Sequence, residues 1–440
     1  MKKIIALLLA VVMVLGLVAC SGNSTPAPAD NNASTEANNA NTNTEANAEP
    51  VAVPEGLDLS VHHKVGVATV HEGEAWEIAR NYLETIVGPT FNMEFIYSEK
   101  LSDANGLIAF MEQCYAAGCD GIVNLVTSND AIAQGAHKAE EWGIWFATQN
   151  SAWVEEVAGL EHNVGQCGAS PESVGEAYKA AFKEILSDGQ PHSVVLFEGA
   201  AVGGDKGQGA ASHFYSAVGV LEAFQETYGL TYDKPIADLV NQQDPGEVNT
   251  GNSDVHIYLY PGRNPGDAVT ALLPVLQTGN YDIFAAVFSF AAFTNAIADV
   301  EQSTGKDIKV IGTAQIEQQT KTGFETTDPT GDTVLNGAIL NDLPLACAIN
   351  CIELMHAYNG DVASMKDNGQ AILLGVRSYA VLGADTYAKA EKLNTAPELY
   401  ILTAEDLLAL AQPGVTWQDL EAKLAEIADL DALLAAKGLN

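Results

Sequence analysis

The amino-acid sequence predicts an α/β fold built on a doubly wound parallel sheet, and three observations predict it. The first is the stretch 118–150. Gly118-Cys119-Asp120-Gly121 opens an apolar run at 122–126, interrupted only by Asn124. A turn from Thr127 to Asp130 leads into a helical pattern with Ile132, Ala133, Ala136 and Ala139 on one face; Gly143 stops it, and a second apolar run follows at 144–147. Strand, helix and strand with a connection of this length form a parallel crossover. The second observation is that both runs are nearly all apolar, the pattern of strands covered on both faces. The third is the alternation that precedes them: a strand at 64–70, a helix opened by Trp76, a strand at 93–97 and a helix over 105–117. Ligands of open parallel sheets bind beyond the carboxyl ends of the strands. The second run ends in Thr148-Gln149-Asn150, so Asn150 is the first candidate binding residue, with the Gln149 amide beside it.

The chain has 440 residues, 47% of them apolar, enough for two or three domains with full cores. Its formal net charge is −37. Such a surface repels nucleic acid and anionic lipid, and neither is expected as a partner; the charge is read as solubility. Arg80, Arg263 and Arg377 are the only arginines, which argues against a phosphate site built on several guanidinium forks.

Residues 1–20 carry Lys2 and Lys3 and then an apolar run from 4 to 19. The run is a little short to span a bilayer and has the charge layout of a signal peptide. It ends Leu17-Val18-Ala19-Cys20, which resembles the lipobox of bacterial lipoproteins. That resemblance implies a lipidated Cys20 anchoring the mature chain to the membrane; the plainer alternative is an ordinary cleavage site with a chance cysteine. Residues 21–56 are rich in Asn, Ala, Thr and Pro and poor in large apolar residues. They cannot form a core and are expected to be a disordered tether, with the globular part starting near Leu57. Five further cysteines follow: Cys114, Cys119, Cys167, Cys347 and Cys351. An odd number leaves at least one thiol free or paired between chains. Their spacing matches metal sites only weakly, and small buried residues are the expected role.

In the first lobe, His71 to Glu74 form a loop at the end of the first strand, and the helix opened by Trp76 turns Ile78, Ala79, Leu83 and Ile86 inward. Trp76 has two readings, packing its own loop or stacking on a ligand at the strand mouth.

The run Lys64-Val65-Gly66-Val67-Ala68-Thr69-Val70, the aromatic residue at the helix start, Ala117-Gly118-Cys119-Asp120-Gly121-Ile122-Val123 and Glu141-Trp142-Gly143-Ile144 stand in a telling order and spacing. Together they resemble bacterial solute-binding proteins of the ribose-binding type, over roughly residues 57–402. The resemblance implies the type I periplasmic binding fold: two Rossmann-like, doubly wound parallel-sheet lobes joined by a three-crossing hinge, with a small-molecule ligand in the cleft. It also implies an ABC transporter permease as partner, with no cofactor and no metal. The crossings are expected at 162–165, 335–342 and 373–381. The first lobe is then 57–164 and 341–372, and the second 165–340 and 373–402.

In the second lobe the pattern predicts helices at 171–186, 213–228, 267–276 and 290–304, and strands at 193–197, 255–260, 281–287 and 308–311. A helix at 344–359 returns to the first lobe. The glycine-rich loop 199–209 misses the phosphate-loop pattern because Asp205 intrudes and Gly207 stands in place of the hydroxyl residue. Residues 403–440 depart from the family pattern as a C-terminal helical extension. Thr403 with Asp406 and Thr416 with Asp419 resemble capping boxes, and Leu420, Leu424, Ile427, Leu430 and Leu433 supply an apolar stripe. A helical hairpin packed on one lobe is expected.

Set against the family, the residues that grip sugar hydroxyls are exchanged. Asn150-Ser151 stands where aspartate and arginine are usual, Phe214 near the usual arginine, Val287-Phe288-Ser289-Phe290 at an asparagine–aspartate pair, and Ala314 at a second aspartate. Aromatic area from Trp76, Phe214 and Phe288, with Ser289 beside it and amides at Gln149, Asn150 and Asn341, suits a flat or partly apolar neutral molecule. Arg263 is placed to contact a carboxylate. If the alignment slips near Phe288, these phenylalanines are core and a sugar is the ligand. The functional expectation is a lipid-anchored extracytoplasmic receptor serving an ABC importer, with a ligand sensor of the same fold as the alternative. An enzyme is not expected: the chain shows no nucleophile elbow, metal motif or paired carboxylates at a strand end, and Glu198 is a lone carboxylate.

Overall fold

The computed structural model describes residues 52–149, 154–199 and 210–439. From β1 (His63–Ala68) the chain runs through α1 (Glu74–Tyr82), β2 (Met93–Tyr97), α2 (Ala104–Ala116), β3 (Gly121–Asn124), α3 (Asn129–Trp142), β4 (Trp145–Gln149) and β5 (Asn163–Ala169). Local chemistry sets the helix ends. The Asp103 and Ser128 side chains accept the backbone N–H of Gly106 and Ala131, and Gly143 takes the left-handed conformation (φ 69°) that ends α3.

The chain then builds a second sheet through α4 (Pro171–Ile185), β6 (Val194–Phe197), α5 (Ala210–Tyr228), β7 (Gly246–Glu247), β8 (Ile257–Tyr260), α6 (Pro265–Leu276), β9 (Ile283–Ser289), α7 (Thr294–Thr304), β10 (Lys309–Ala314), α8 (Gln318–Glu325) and β11 (Gly337–Leu340). It returns through α9 (Leu343–Tyr358), a small ribbon of β12 (Lys366–Asp367) and β13 (Gln370–Ala371), and β14 (Leu373–Val376). It crosses again into β15 (Tyr379–Leu382) and α10 (Ala384–Thr395), and ends in α11 (Ala404–Leu410), α12 (Trp417–Glu426) and α13 (Leu430–Ala436).

The first sheet has the order β14-β5-β4-β3-β1-β2 and is parallel throughout. The second has the order β15-β11-β10-β9-β6-β8-β7, parallel except at its two edge strands. Both faces of each sheet are covered, as the unbroken apolar strands require. Ile122 and Phe146 pack among α2 and α3, while Val123 and Ala147 pack toward α1 and α9. In β6, Val194 and Leu196 turn toward α4 and α5, and Val195 and Phe197 toward α6 and α7.

The lobe boundaries differ from those the sequence suggests. The first crossing does not fall at 162–165, because β5 stays in the first sheet to Ala169, where it pairs with Val376. Likewise 373–376, expected in the second lobe, are β14 of the first; the chain crosses only at 377–378. The sequence of β5, Asn-Val-Gly-Gln-Cys-Gly-Ala, lacks an apolar run for a packing reason. A Cβ on Gly165 would lie 2.2 Å from a carboxylate oxygen of Glu353 on α9, so only glycine fits beneath that buried side chain.

Helix α9 is buried on every side from Leu343 to Ala357. The first sheet covers one face. Leu407, Leu408, Ala411, Leu420, Leu424, Ile427, Leu433 and Leu434 of the C-terminal segment join the same core. Fully buried His356 donates from Nε2 to the Leu410 carbonyl (2.9 Å), tying α9 to the end of α11. The Thr403–Asp406 capping box forms as the sequence predicts, with reciprocal bonds of 3.0 and 3.3 Å. The expected signal peptide, tether and Cys20 lie outside the described residues, apart from the tether's last few positions.

The C-terminal helices are therefore part of the first core. Leu407→Ala should lower stability by about 2–5 kcal/mol, the usual cost of emptying a buried leucine site. A chain ending at residue 402 should lose its cooperative melt. A truncated protein that melts within two or three degrees of the full chain would contradict this packing.

Candidate functional site

The carboxyl ends of both sheets face a cavity of about 210 Å³. From the first lobe come His71 in the loop after β1, Thr127 after β3, and Gln149 at the end of β4. From the second come Val287 of β9, Thr313 of β10, Gln315 just beyond it, and Ser212, His213 and Ser216 in the first turns of α5. The crossing between β11 and α9 supplies Asn341 and Asp342. Placement beyond the strand ends of two parallel sheets follows the general rule for open α/β sheets.

The crossings themselves are bonded. Ser378 Oγ, on the third crossing, donates to Asn341 Oδ1, on the second (2.6 Å), which makes Nδ2 the donor side of that amide. Asp342 Oδ1 accepts the Leu345 N–H (2.8 Å) and so caps α9. One residue pair thus joins cavity, hinge and the central helix of the first lobe.

Electrostatically the cavity is nearly bare of positive charge. Burial pushes the Asp342 carboxyl up to about 6, against the lowering effect of its bonds from Leu345 and Asn394. Burial, and then the Arg263 guanidinium, holds His213 down at about 4. Burial, and then Lys100, lowers His71. Both imidazoles are neutral at pH 7. Among the described lining residues there is no lysine or arginine.

The expected binding residues divide into three groups. Gln149 and Asn341 line the cavity. Trp76, Phe214 and Arg263 do not. Trp76 is 5% exposed and packs edge-on against Tyr97 in the first-lobe core (5.8 Å between ring centres). Phe214 is 7% exposed and belongs to the core beneath α5, edge-on to Tyr215. Arg263 stands behind the cavity wall, donating from Nε to the Gly199 carbonyl (3.0 Å) with Nη2 3.4 Å from His213 Nδ1. Asn150 and the side chains of Phe288 and Ser289 lie outside the described residues, as do 200–209 of the glycine-rich loop.

Several lining residues were not singled out from sequence. Thr127 and Gln315 follow strands and were within reach of the strand-end rule. Ala314, at the position of the family's second aspartate, is 7% exposed in a core, and its neighbour Gln315 lines the cavity instead. Asp342 carries the signal of an N-cap immediately before α9. Glu198 is fully buried with neither carboxyl oxygen hydrogen-bonded, and burial pushes it well above the usual carboxylate range.

Asp342 gives a pH test. Its folded value of about 6 lies above the ordinary 3.8, so ionisation opposes folding. The cost is absent below about pH 4 and grows as pH rises through 6. Asp342→Asn keeps a capping oxygen and cannot ionise. Its melting temperature should gain on the wild type between pH 4.5 and 7.5, because groups common to both proteins cancel. A constant offset across that range would contradict the assignment.

No family model and no curated protein matches the chain. Solved structures similar to it include a carbohydrate transporter from Acidothermus cellulolyticus 11B in complex with myo-inositol. It is 16% identical, with 76% of this chain and 99% of that one covered, at a TM-score of 0.47. An ABC transporter solute-binding protein from Bacillus halodurans C-125 with bound myo-inositol is 12% identical, covering 76% and 98%, at 0.49. An ABC transporter periplasmic solute-binding protein from Actinobacillus succinogenes 130z with bound D-allose is 16% identical, covering 74% and 99%, at 0.47. Two doubly wound parallel sheets, three crossings between them and a cavity at the carboxyl ends of both constitute the type I periplasmic binding fold.

Proposed function

We propose that the chain is an extracytoplasmic receptor, anchored to the membrane through Cys20, that captures a small uncharged polar molecule between its lobes and delivers it to the permease of an ABC importer. The observation that carries the reading is the cavity. It is lined from both lobes and from the hinge by amides, hydroxyls, two neutral imidazoles, the Asp342 carboxyl and small apolar side chains, and it has no cation among its described lining residues. A carboxylate or phosphate would be left unneutralised there. With Trp76 and Phe214 in the cores, much of the aromatic area expected from sequence is gone. The ligand class shifts toward hydroxylated molecules such as sugars and polyols, whose groups match amide and hydroxyl partners. The cavity is smaller than the roughly 300–1,000 Å³ of drug-sized sites, which suits a molecule of monosaccharide size.

Thermal-shift screening against neutral polyols, monosaccharides, nucleosides, uronates and sugar phosphates tests this. A neutral hydroxylated solute at about 100 times its dissociation constant should add about 2.7 kcal/mol of stability. Gln149→Ala and Asn341→Ala should each weaken its binding about two- to tenfold, the value of a neutral hydrogen bond of about 0.5–1.5 kcal/mol. Trp76→Phe should leave affinity unchanged. A uronate or phosphate as best ligand, or affinity untouched by both amide changes, would overturn the reading. For the anchor, Cys20→Ala should release the protein from the detergent phase, and unaltered membrane retention would refute lipidation.

A further inference from the structure

Two cysteines meet where α2 ends. The helix closes in a Schellman turn: Gly118 adopts φ +81°, Cys119 N–H donates to the Cys114 carbonyl (2.9 Å) and Gly118 N–H to that of Tyr115 (3.1 Å). This pair of bonds brings the side chain three places before the cap against the one two places beyond it, a contact that is usually hydrophobic. Here the two side chains are Cys114 and Cys119. Both are buried, 0% and 3% exposed, in the core shared by α2 and α3. The space they occupy depends on Gly66 of β1, where a Cβ would lie 2.6 Å from Cys114 Sγ.

The remaining described cysteines have no such geometry. Cys347 and Cys351 are one turn apart on α9, where Cβ atoms stand about 5–6 Å apart; a disulfide needs about 3.5–4.5 Å. Cys167, on β5, shares the first-lobe core with Cys347 of α9, but no backbone turn draws the two together.

We propose that Cys114 and Cys119 are a disulfide site that staples the end of α2 to the start of β3 when the chain folds in the presence of a thiol–disulfide oxidant. Thiolate attack on the oxidant comes from one cysteine and closure of the bridge from the other. The first attacks one sulfur of the oxidant disulfide and expels a thiolate. The second then attacks the Sγ of the first and expels the other thiolate. The two thiol protons pass to the two leaving groups, and the protein loses two hydrogens. Burial of both sulfurs places the reaction during folding, before the core closes.

The test is independent of any ligand. The full chain is unfolded in reductant, refolded in a glutathione redox buffer, quenched with acid, alkylated in denaturant and digested. The expected product is a peptide cross-linked between 114 and 119, two hydrogens lighter, with Cys167, Cys347 and Cys351 alkylated. In Cys114→Ser, Cys119 should instead retain glutathione, since no second thiol expels it. Alkylation of both Cys114 and Cys119 in the wild type, or pairing of either with another cysteine, would overturn the proposal.

Discussion

The rest of the structure depends on α9 being covered on both sides. Its sequence, from Leu343 to Tyr358, is apolar nearly all round, and a helix of that kind is stable only when no face meets water. The first sheet supplies one cover, and α1 with the C-terminal helices supplies the other. Polar groups on α9 are partly satisfied within that sandwich, with Asn350 Oδ1 and Glu353 Oε1 buried without a hydrogen bond. His356 bonds the Leu410 carbonyl. Asn350 donates to Glu353 (2.9 Å), whose carboxyl burial pushes up to about 8, leaving it uncharged at neutral pH.

Fixing α9 fixes the hinge. Its N-cap is Asp342, so the residue that ends the crossing from the second lobe also lines the cavity. The Ser378–Asn341 bond binds the third crossing to the second. Alongside, Tyr379 at the start of β15 donates to the Ile427 carbonyl at the end of α12 (2.8 Å), and Leu430 touches cores of both lobes. The lobes meet away from the crossings too: the Gln318 N–H at the start of α8 donates to Glu74 at the start of α1, and Ile78 packs against the second-lobe core. A solute that touches Gln149 on one side and Gln315 on the other therefore acts on a junction whose moving parts are already in contact.

Much of this was legible in sequence because buried parallel strands must be apolar runs and their helices amphipathic. β2 has the bounds that its five-residue run predicts, and α4 begins at Pro171 as predicted. β5 was illegible as a strand of the first sheet because Gly165 and buried Gln166 answer to neighbours distant in sequence. The aromatic residues misled for a different reason. A residue near a strand mouth faces ligand or core according to the rotation of its helix. Trp76 shares its stripe with Ala79 and Leu83, and Phe214 with Ala217 and Leu221, all buried; spacing of three and seven residues sets them on one core face. That periodicity outweighed their position beside the cleft. Asp342 ends the crossing expected at 335–342, and only the fold shows that this residue both caps α9 and lines the cavity.

The most direct measurement is the crystal structure of the complex with the neutral solute that most raises the melting temperature. The account predicts the solute in the interlobe cavity, hydrogen-bonded to Gln149 from the first lobe, Gln315 from the second and Asn341 from the hinge. A solute bound outside the cleft, or held by one lobe alone, would contradict it.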